Sequence, residues 1–266
     1  MFAEKFSANQ DSVKEDKEIQ HADLEKYFTT QTQTEFVNMA GHEMKTSIQA
    51  ILTYSELLQN KRDKSSDDYI KAILRNAQRL KILSDNLTDL AKIDSCTMKI
   101  QKKRFDICTL VATLIKDFEN MTRHNESKIK IITQLPEHVF VNADPQKLTQ
   151  VILNLLDNAV KFTTDGKISI KLEQDKNFIQ VTITDTGSGI DNKIKPDLFN
   201  KFATSSYSGT GLGLYICKNI IEAHGGKIWA KNNEGQKGAT FGFVIPASHV
   251  HPDPNHTKFL NSSIKV

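Results

Sequence analysis

Apolar residues recur at helical spacing in two long stretches near the start of the chain. In "FVNMAGHEMKTSIQAI", residues 36–51, and the turns after it, Phe36, Ala40, Met44, Ile51, Tyr54 and Leu58 cluster on one side of a wheel drawn at about 100° per residue. His42 projects roughly opposite, so its imidazole should face water. The pattern predicts a helix from about Thr32 to Asn60. "KRDKSSDD" interrupts it with turn-formers and a capping signal at Ser66, and a second helix is predicted from Asp67 to about Ser95. Its Ile73, Leu80 and Leu87, with Leu83 and Leu90 between them, follow a heptad. Two helices joined by a short loop make a hairpin, and one hairpin cannot bury both apolar stripes. Either a second copy completes a four-helix bundle, or the hairpin packs against the rest of its own chain.

From Phe105 onward helical and strand periods mix. "LVATLIKDF" reads as helix, and "IKIITQL" and "HVFVNA" read as strands. The next helix has a well-marked start: Asp144 is a good N-cap, and Pro145 takes the first helical position, where its missing N–H costs nothing. In "DPQKLTQVILNLLDNAVKF" one stripe is Leu148, Val151, Ile152, Leu155, Leu156 and Ala159. Asn154, Asn158 and Lys161 fall within roughly 60° of one another on the opposite side. Strands are predicted in "KISIKLE" and "FIQVTITD", followed by a glycine-rich loop, a helix after Gly211 and closing strands "GKIWAKN" and "ATFGFVIP". The first 30 or so residues read as a disordered or helical lead-in, and the sequence after Ser248 as a solvated tail whose His249, His251 and His256 are at most weak metal ligands.

Composition adds bounds. The chain has 266 residues, 38% hydrophobic and 25% charged, enough for one large or two modest domains. A net charge of +3 is too small to argue for nucleic acid or a membrane surface. Cys96, Cys108 and Cys217 are odd in number and widely separated, which suggests a reducing compartment and neither a disulfide framework nor a cysteine-zinc site. No apolar run approaches the ~18 residues of a membrane span, and "MFAEKFSANQDS" lacks a signal-peptide core. The expectation is a soluble cytoplasmic chain without a membrane segment.

Candidate chemistry gathers in three places. An exposed helical histidine is ordinarily a surface residue, but His42 has Thr46 at the i,i+4 offset and Glu43 beside it. A neutral imidazole offers a lone pair, and an adjacent carboxylate can hold the other ring N–H and stabilise the charge that develops when the ring attacks an electrophile. The Asn154/Asn158/Lys161 face is either an ordinary polar surface or a phosphate site, with an amide oxygen for a hard cation and a lysine for phosphate. "DTGSGI", residues 185–190, follows a predicted strand, and "GTGLGL", residues 209–214, opens a predicted helix. N–H groups near Gly211 and Gly213 are placed to cradle phosphates, and Asp185 to accept from an amino group such as that of adenine. The Walker pattern and the eukaryotic-type protein-kinase signatures are absent. Asp185-Thr186-Gly187 also matches the aspartic-protease loop, but that chemistry needs a second carboxylate, hence a dimer.

Together these segments resemble the sensor histidine kinases of two-component systems over about residues 32–247. "HEMKT" looks like the H box, "NLLDNAVKF" the N box, "DTGSGI" the first glycine box, "LFNKF" the F box and "GTGLGL" the second glycine box. The resemblance implies a multi-domain α and α/β protein. A helical hairpin forming a dimeric four-helix bundle precedes an α/β sandwich, a mixed sheet with helices on one face, of the type shared with gyrase and heat-shock chaperone ATPases. The expected domains are a linker (1–31), a dimerisation and histidine-phosphotransfer domain (32–103), a catalytic ATP-binding domain (104–248) and a disordered tail (249–266).

The resemblance also implies residue roles. His42 would be the phosphoacceptor, Glu43 the general base that assists it, and Thr46 the residue that helps water remove phosphate from the partner. Asn158 would hold Mg²⁺, Asn154 and Lys161 would contact phosphates, and Asp185 would bind the adenine amino group. Phe199 and Phe202 would anchor the ATP lid, and Gly187, Gly189, Ile190, Gly209, Thr210, Gly211, Leu212, Gly213 and Thr240 would complete the nucleotide site. ATP and Mg²⁺ are the implied cofactors, a response regulator receiver domain the implied partner, and a homodimer through the hairpin the implied assembly, without nucleic acid. The family usually has arginine at Lys45 and proline at Ser47, and without that proline the first helix should lose its usual kink. The lid "FATSSYSG" is short and has no arginine, so either lysines such as Lys201 substitute or closure is weak. Two alternatives stay open: a degenerate kinase acting as phosphatase or scaffold, and an ATPase of the same sandwich type without histidine transfer.

Overall fold

The computed structural model describes residues 38, 40–59, 66–122, 128–204 and 210–247. The linker, the start of the first helix, most of the predicted turn, Gly209 and the tail with its three histidines lie outside the described residues. Contacts divide the chain into two units, Met1–Leu87 and Thr88–Val266, and the dividing line falls inside a helix.

The first unit holds helix α1, residues 40–59, and most of helix α2, Ser66–Asp94. Asp67 and Asp68 lie in the first turn of α2 and Lys92 in its last, each complementing the helix dipole. Helix α2 therefore begins and ends one residue earlier than the pattern predicts, at termini where assignments commonly differ by that much. The rings of Tyr54 and Tyr69 meet with centroids 5.9 Å apart, so the two helices pack near their connection. Ala40 and Ser47 on α1 and Ala72 and Leu83 on α2 are buried. Ile48, Leu52, Ile70, Leu74 and Ile82 stay exposed, at 42–63% of their full area. These exposed residues lie outside the two predicted stripes, whose described members are buried or half-buried, so the uncovered apolar surface is a second face of the hairpin.

The second unit is built on a five-stranded sheet in the order β2-β4-β5-β7-β6, from β2 (Lys128–Gln134), β4 (Asp165–Gln174), β5 (Phe178–Asp185), β6 (Lys227–Asn232) and β7 (Ala239–Pro246). Strands β2 and β4 are parallel and the other neighbours antiparallel, so the sheet is mixed. A parallel pair requires a crossover, and it runs through β3 (Phe140–Ala143) and helix α4 (Pro145–Phe162). Helices α3 (Ile107–Thr122), α4 and α5 (Gly213–Ala223) pack together over the sheet. Ile179, Val181 and Ile183 alternate inward along β5 and meet the α4 stripe, whose six predicted apolar residues are all buried.

Two elements depart from the sequence pattern. A short strand β1, Lys103–Asp106, pairs antiparallel with β3, although "KRFD" carries no strand alternation; its order comes from the partner ladder. Helix α3 begins at Ile107, ahead of the apolar run that marks it in sequence, because Asp106 caps it: Oδ1 accepts from Cys108 N–H at 3.0 Å and Oδ2 from the Thr109 hydroxyl at 2.8 Å. Burial pushes the Asp106 carboxyl up, but hydrogen bonds from His138, Thr109, Val139 and Cys108 outweigh it and hold the group well below the usual carboxylate range.

Candidate functional site

On α1, His42 is exposed, as the wheel predicts, and Glu43 is half-buried. Thr46 does not reach the imidazole. Its hydroxyl donates to the His42 backbone carbonyl at 2.9 Å, the back-bond that helical threonines favour. Ser47 is 7% exposed, and Lys45 is exposed.

Helix α4 positions the polar face of the second unit. Asp144 caps it through Oδ1, which accepts from Gln146 N–H at 3.0 Å and Lys147 N–H at 3.1 Å. With the apolar stripe buried, Asn154 and Asn158 are half-buried and Lys161 is exposed, its ammonium 5.7 Å from the Phe162 ring centre. The Asn154 amide donates to Cys217 Sγ at 3.6 Å. Gly213, the first residue of α5, lies against Asn154, so a helix N-terminus and its N–H groups stand beside that amide. Burial pushes the Cys217 thiol up to about 12, although the Asn154 hydrogen bond works the other way.

Strand β5 delivers Asp185 to the helix face of the sheet, where it is 2% exposed. Oδ1 accepts from Gly187 N–H at 2.8 Å and Ala239 N–H at 3.2 Å, while Oδ2 accepts no hydrogen bond among the described residues. Burial raises the Asp185 carboxyl against those two bonds. The following loop seats on the end of α4: Ser188 N–H donates to the Phe162 carbonyl at 3.1 Å, and a Cβ on Gly187 would run into that carbonyl. Ile190 is clamped by Asn232, which accepts its N–H at 2.6 Å and donates to its carbonyl at 2.9 Å. Asn233 donates to the Asp185 carbonyl at 2.8 Å and accepts the Thr240 hydroxyl at 2.7 Å. That leaves Thr184 to donate to Thr240, 2.9 Å away.

Phe199 and Phe202 follow a single 3₁₀ turn, Lys195–Asp197, and are both half-buried. Phe202 holds φ at 65°, rare outside glycine, and its N–H donates to the Gly211 carbonyl at 3.1 Å. Gly211 is also at positive φ, and a Cβ there would strike the Phe202 backbone. The two ends of the segment containing residues 205–209 are thus pinned together. Lys201 pairs with Asp94 at 2.5 Å and lies 5.4 Å from the Tyr215 ring centre. Thr210 accepts from Leu212 N–H at 3.4 Å, and Leu212 is fully buried.

The described nucleotide candidates therefore belong to the second unit, and His42, Glu43 and Thr46 to the first. Sequence reasoning missed Asn232 and Asn233, the supports of both the Asp185 loop and Thr240. Two adjacent asparagines, poor strand formers, at the end of "GKIWAKNN" are the signal that was there to find. Among the described residues no three His, Cys, Asp or Glu side chains gather to hold a metal. A lone amide such as Asn158, leaving most of the coordination sphere to water and phosphate, suits Mg²⁺ and not a dedicated protein cage. Among the described residues no helix is long and apolar enough to cross a membrane.

Comparisons with known proteins agree with this layout. Residues 32–96 match the His Kinase A (phospho-acceptor) domain, and residues 143–249 match the histidine kinase-, DNA gyrase B- and HSP90-like ATPase family. The sensor histidine kinase WalK of Bacillus subtilis is 30% identical over 236 residues, 84% of this chain and 38% of its own length. The chain therefore spans well under half of that relative. Among solved structures, the catalytic domain of histidine kinase ThkA is 35% identical with a TM-score of 0.51, covering 55% of this chain and 96% of that one. ThkA in complex with the response regulator protein TrrA is 28% identical with a TM-score of 0.56, covering 80% of this chain and 61% of that one. With both domains present in the family's order on the predicted elements, the chain belongs to the sensor histidine kinases of two-component systems.

Proposed function

We propose that the chain autophosphorylates His42 from ATP and passes the phosphoryl group to an aspartate of a response regulator receiver domain. The observation that carries this reading is an exposed histidine, followed directly by a carboxylate, in a chain whose second unit presents an Asn/Asn/Lys helix face and a buried aspartate whose loop seats on the end of that helix. In the proposed step the unprotonated ring nitrogen of His42 attacks the γ-phosphorus. The bond to the bridging oxygen breaks, ADP leaves with that electron pair, and Glu43 accepts the proton from the other ring nitrogen, which keeps the N–H electron pair. Asn154, Lys161 and the N–H groups at Gly213 hold the phosphates, and Asp185 receives the base amino group on Oδ2. Asn158 is the residue that would hold Mg²⁺, which when bound neutralises charge on the phosphates. Phe199 and Phe202 anchor the segment between them and Gly211 as the lid.

The complex of ThkA with TrrA supports a response regulator as the acceptor. The exposed Ile48 and Leu52 on α1, with Ile70, Leu74 and Ile82 on α2, support a second copy of the hairpin as their cover, giving a dimeric bundle of residues 32–103. The ATP-binding domain would then span residues 104–248, and an ATP-consuming reaction of this kind belongs in the cytoplasm. Phosphatase activity toward the same partner gains support from Thr46: its proton is committed to the His42 carbonyl, so its outward lone pairs are free to accept from a water. The decisive experiment incubates the chain and His42→Gln with γ-labelled ATP and Mg²⁺. Acid-labile, base-stable label that disappears with His42 is expected, and label that survives the substitution overturns the reading.

A further inference from the structure

The segment "FATSSYSG" carries no arginine, and Lys201 is the cation next to its first residue, Phe202. In the folded chain that cation is already engaged. Its ammonium lies 2.5 Å from Asp94 Oδ1 and 5.4 Å from the centre of the Tyr215 ring. Partial burial lowers the Lys201 pKa, but the Asp94 carboxylate and the Tyr215 side chain outweigh it and raise the group above its ordinary value. The three residues come from three places. Asp94 ends α2, Lys201 precedes the Phe202 whose N–H is pinned to the Gly211 carbonyl, and Tyr215 stands in the first turn of α5, just past Gly213.

A part-exposed ion pair positions little unless one partner is itself fixed. Asp94 has such a support. Asp89, earlier on α2, is 5% exposed and accepts from Lys147 Nζ at 2.7 and 2.9 Å and from Gln150 Nε2 at 2.8 Å. With both oxygens of this buried carboxylate paired, the last turns of α2 are fastened to the start of α4. Asp89, Asp94 and all these partners lie in the second unit.

We propose that Lys201 is a positioning residue of the nucleotide site: held by Asp94 and Tyr215, it fixes the backbone of Phe202 against Gly211 and so the first turn of α5, without contacting phosphate itself. The inference rests on the nucleotide-binding reading above. A lysine that served as a phosphate ligand would have to leave Asp94, giving up a short charge-assisted bond and exposing a carboxylate to the incoming anion. A positioning lysine keeps that bond with and without nucleotide. The two uses set opposite roles for Asp94, competitor in the first and support in the second.

The test measures binding of ATP and of ADP, each with Mg²⁺, to the full chain by calorimetry, alongside thermal midpoints without nucleotide. The variants are Lys201→Met, Lys201→Arg, Asp94→Asn and the double variant Asp94→Asn with Lys201→Met. Lys201→Met and Asp94→Asn are each expected to weaken ATP and ADP alike, by roughly threefold to fivefold, with midpoints close to the wild type. The double variant should bind no more weakly than Lys201→Met alone, because both changes remove one contact. Lys201→Arg keeps the charge and the reach and should bind like the wild type. Loss of ATP but not ADP binding in Lys201→Met, unchanged or tighter ATP binding by Asp94→Asn, or two losses that multiply, overturns the proposal while leaving nucleotide binding intact. A wild type that binds neither nucleotide overturns both.

Discussion

Replacing Asp144 by alanine tests whether the α4 face is held by its cap. The side chain makes three hydrogen bonds: Oδ1 with Gln146 and Lys147 N–H, and Oδ2 with Gln101 N–H at 2.9 Å. The residue is 6% exposed, so water cannot readily replace the carboxylate at the first turn. Loss of such a cap costs about 1–2 kcal/mol. Gln101 is itself exposed, so freeing its N–H adds little, and the sum is about 2 kcal/mol. For a unit of this size, about 2–4 °C per kcal/mol translates this into a midpoint lower by about 4–8 °C. Asparagine keeps the capping oxygen and gives up only the Gln101 contact, so Asp144→Asn should fall by no more than about 2 °C. Circular dichroism at 222 nm on heating, with the full chain and no nucleotide, reads both. An alanine variant melting within about 1 °C of the wild type would refute the cap as the anchor of α4.

Three further outcomes follow from the same geometry. Asn232→Ala removes both bonds to Ile190 and should weaken ATP binding roughly tenfold by calorimetry, while a change below about twofold would show that the clamp is dispensable. His224 is buried, accepts Asp144 N–H on Nε2 at 2.9 Å and lies 2.8 Å from the Ile220 carbonyl through Nδ1; burial lowers its pKa, so the native state resists a proton that the unfolded chain takes. Stability from this group is therefore complete above the ordinary pKa of ~6.5 and falls as the pH drops below it. Urea midpoints at pH 7.5 and 5.5 should differ less in His224→Gln than in the wild type, and equal differences would refute the assignment. At pH 8, maleimide should label exposed Cys96 in the native protein and leave buried Cys217 untouched until urea is added; early labelling of Cys217 by mass spectrometry would contradict its burial.

Much of the site was legible before any tertiary contact was known. The stripe from Leu148 to Ala159 and the polar face of Asn154, Asn158 and Lys161 follow from a 3.6-residue period, and the start of α4 from an Asp-Pro pair. Those signals are local: a helix satisfies its own backbone, and its face is set by residues three and four apart. The exposure of His42 followed for the same reason.

What escaped the sequence depends on residues far apart along the chain. Strand β1 exists because Lys103–Asp106 meets Phe140–Ala143, and nothing in "KRFD" announces that ladder. Asn232 supports Ile190 across 42 positions, and Asn154 rests on Cys217 across 63. Asp94 meets Lys201 across 107 positions. By itself the sequence determined the main helices, the five strands of the larger sheet, the cap at Asp144 and which residue types carry the chemistry, since these depend on backbone geometry and burial period. Only the tertiary structure decided which side chains hold those residues in place, because a hydrogen bond between distant segments has no period to read and exists only after both have packed.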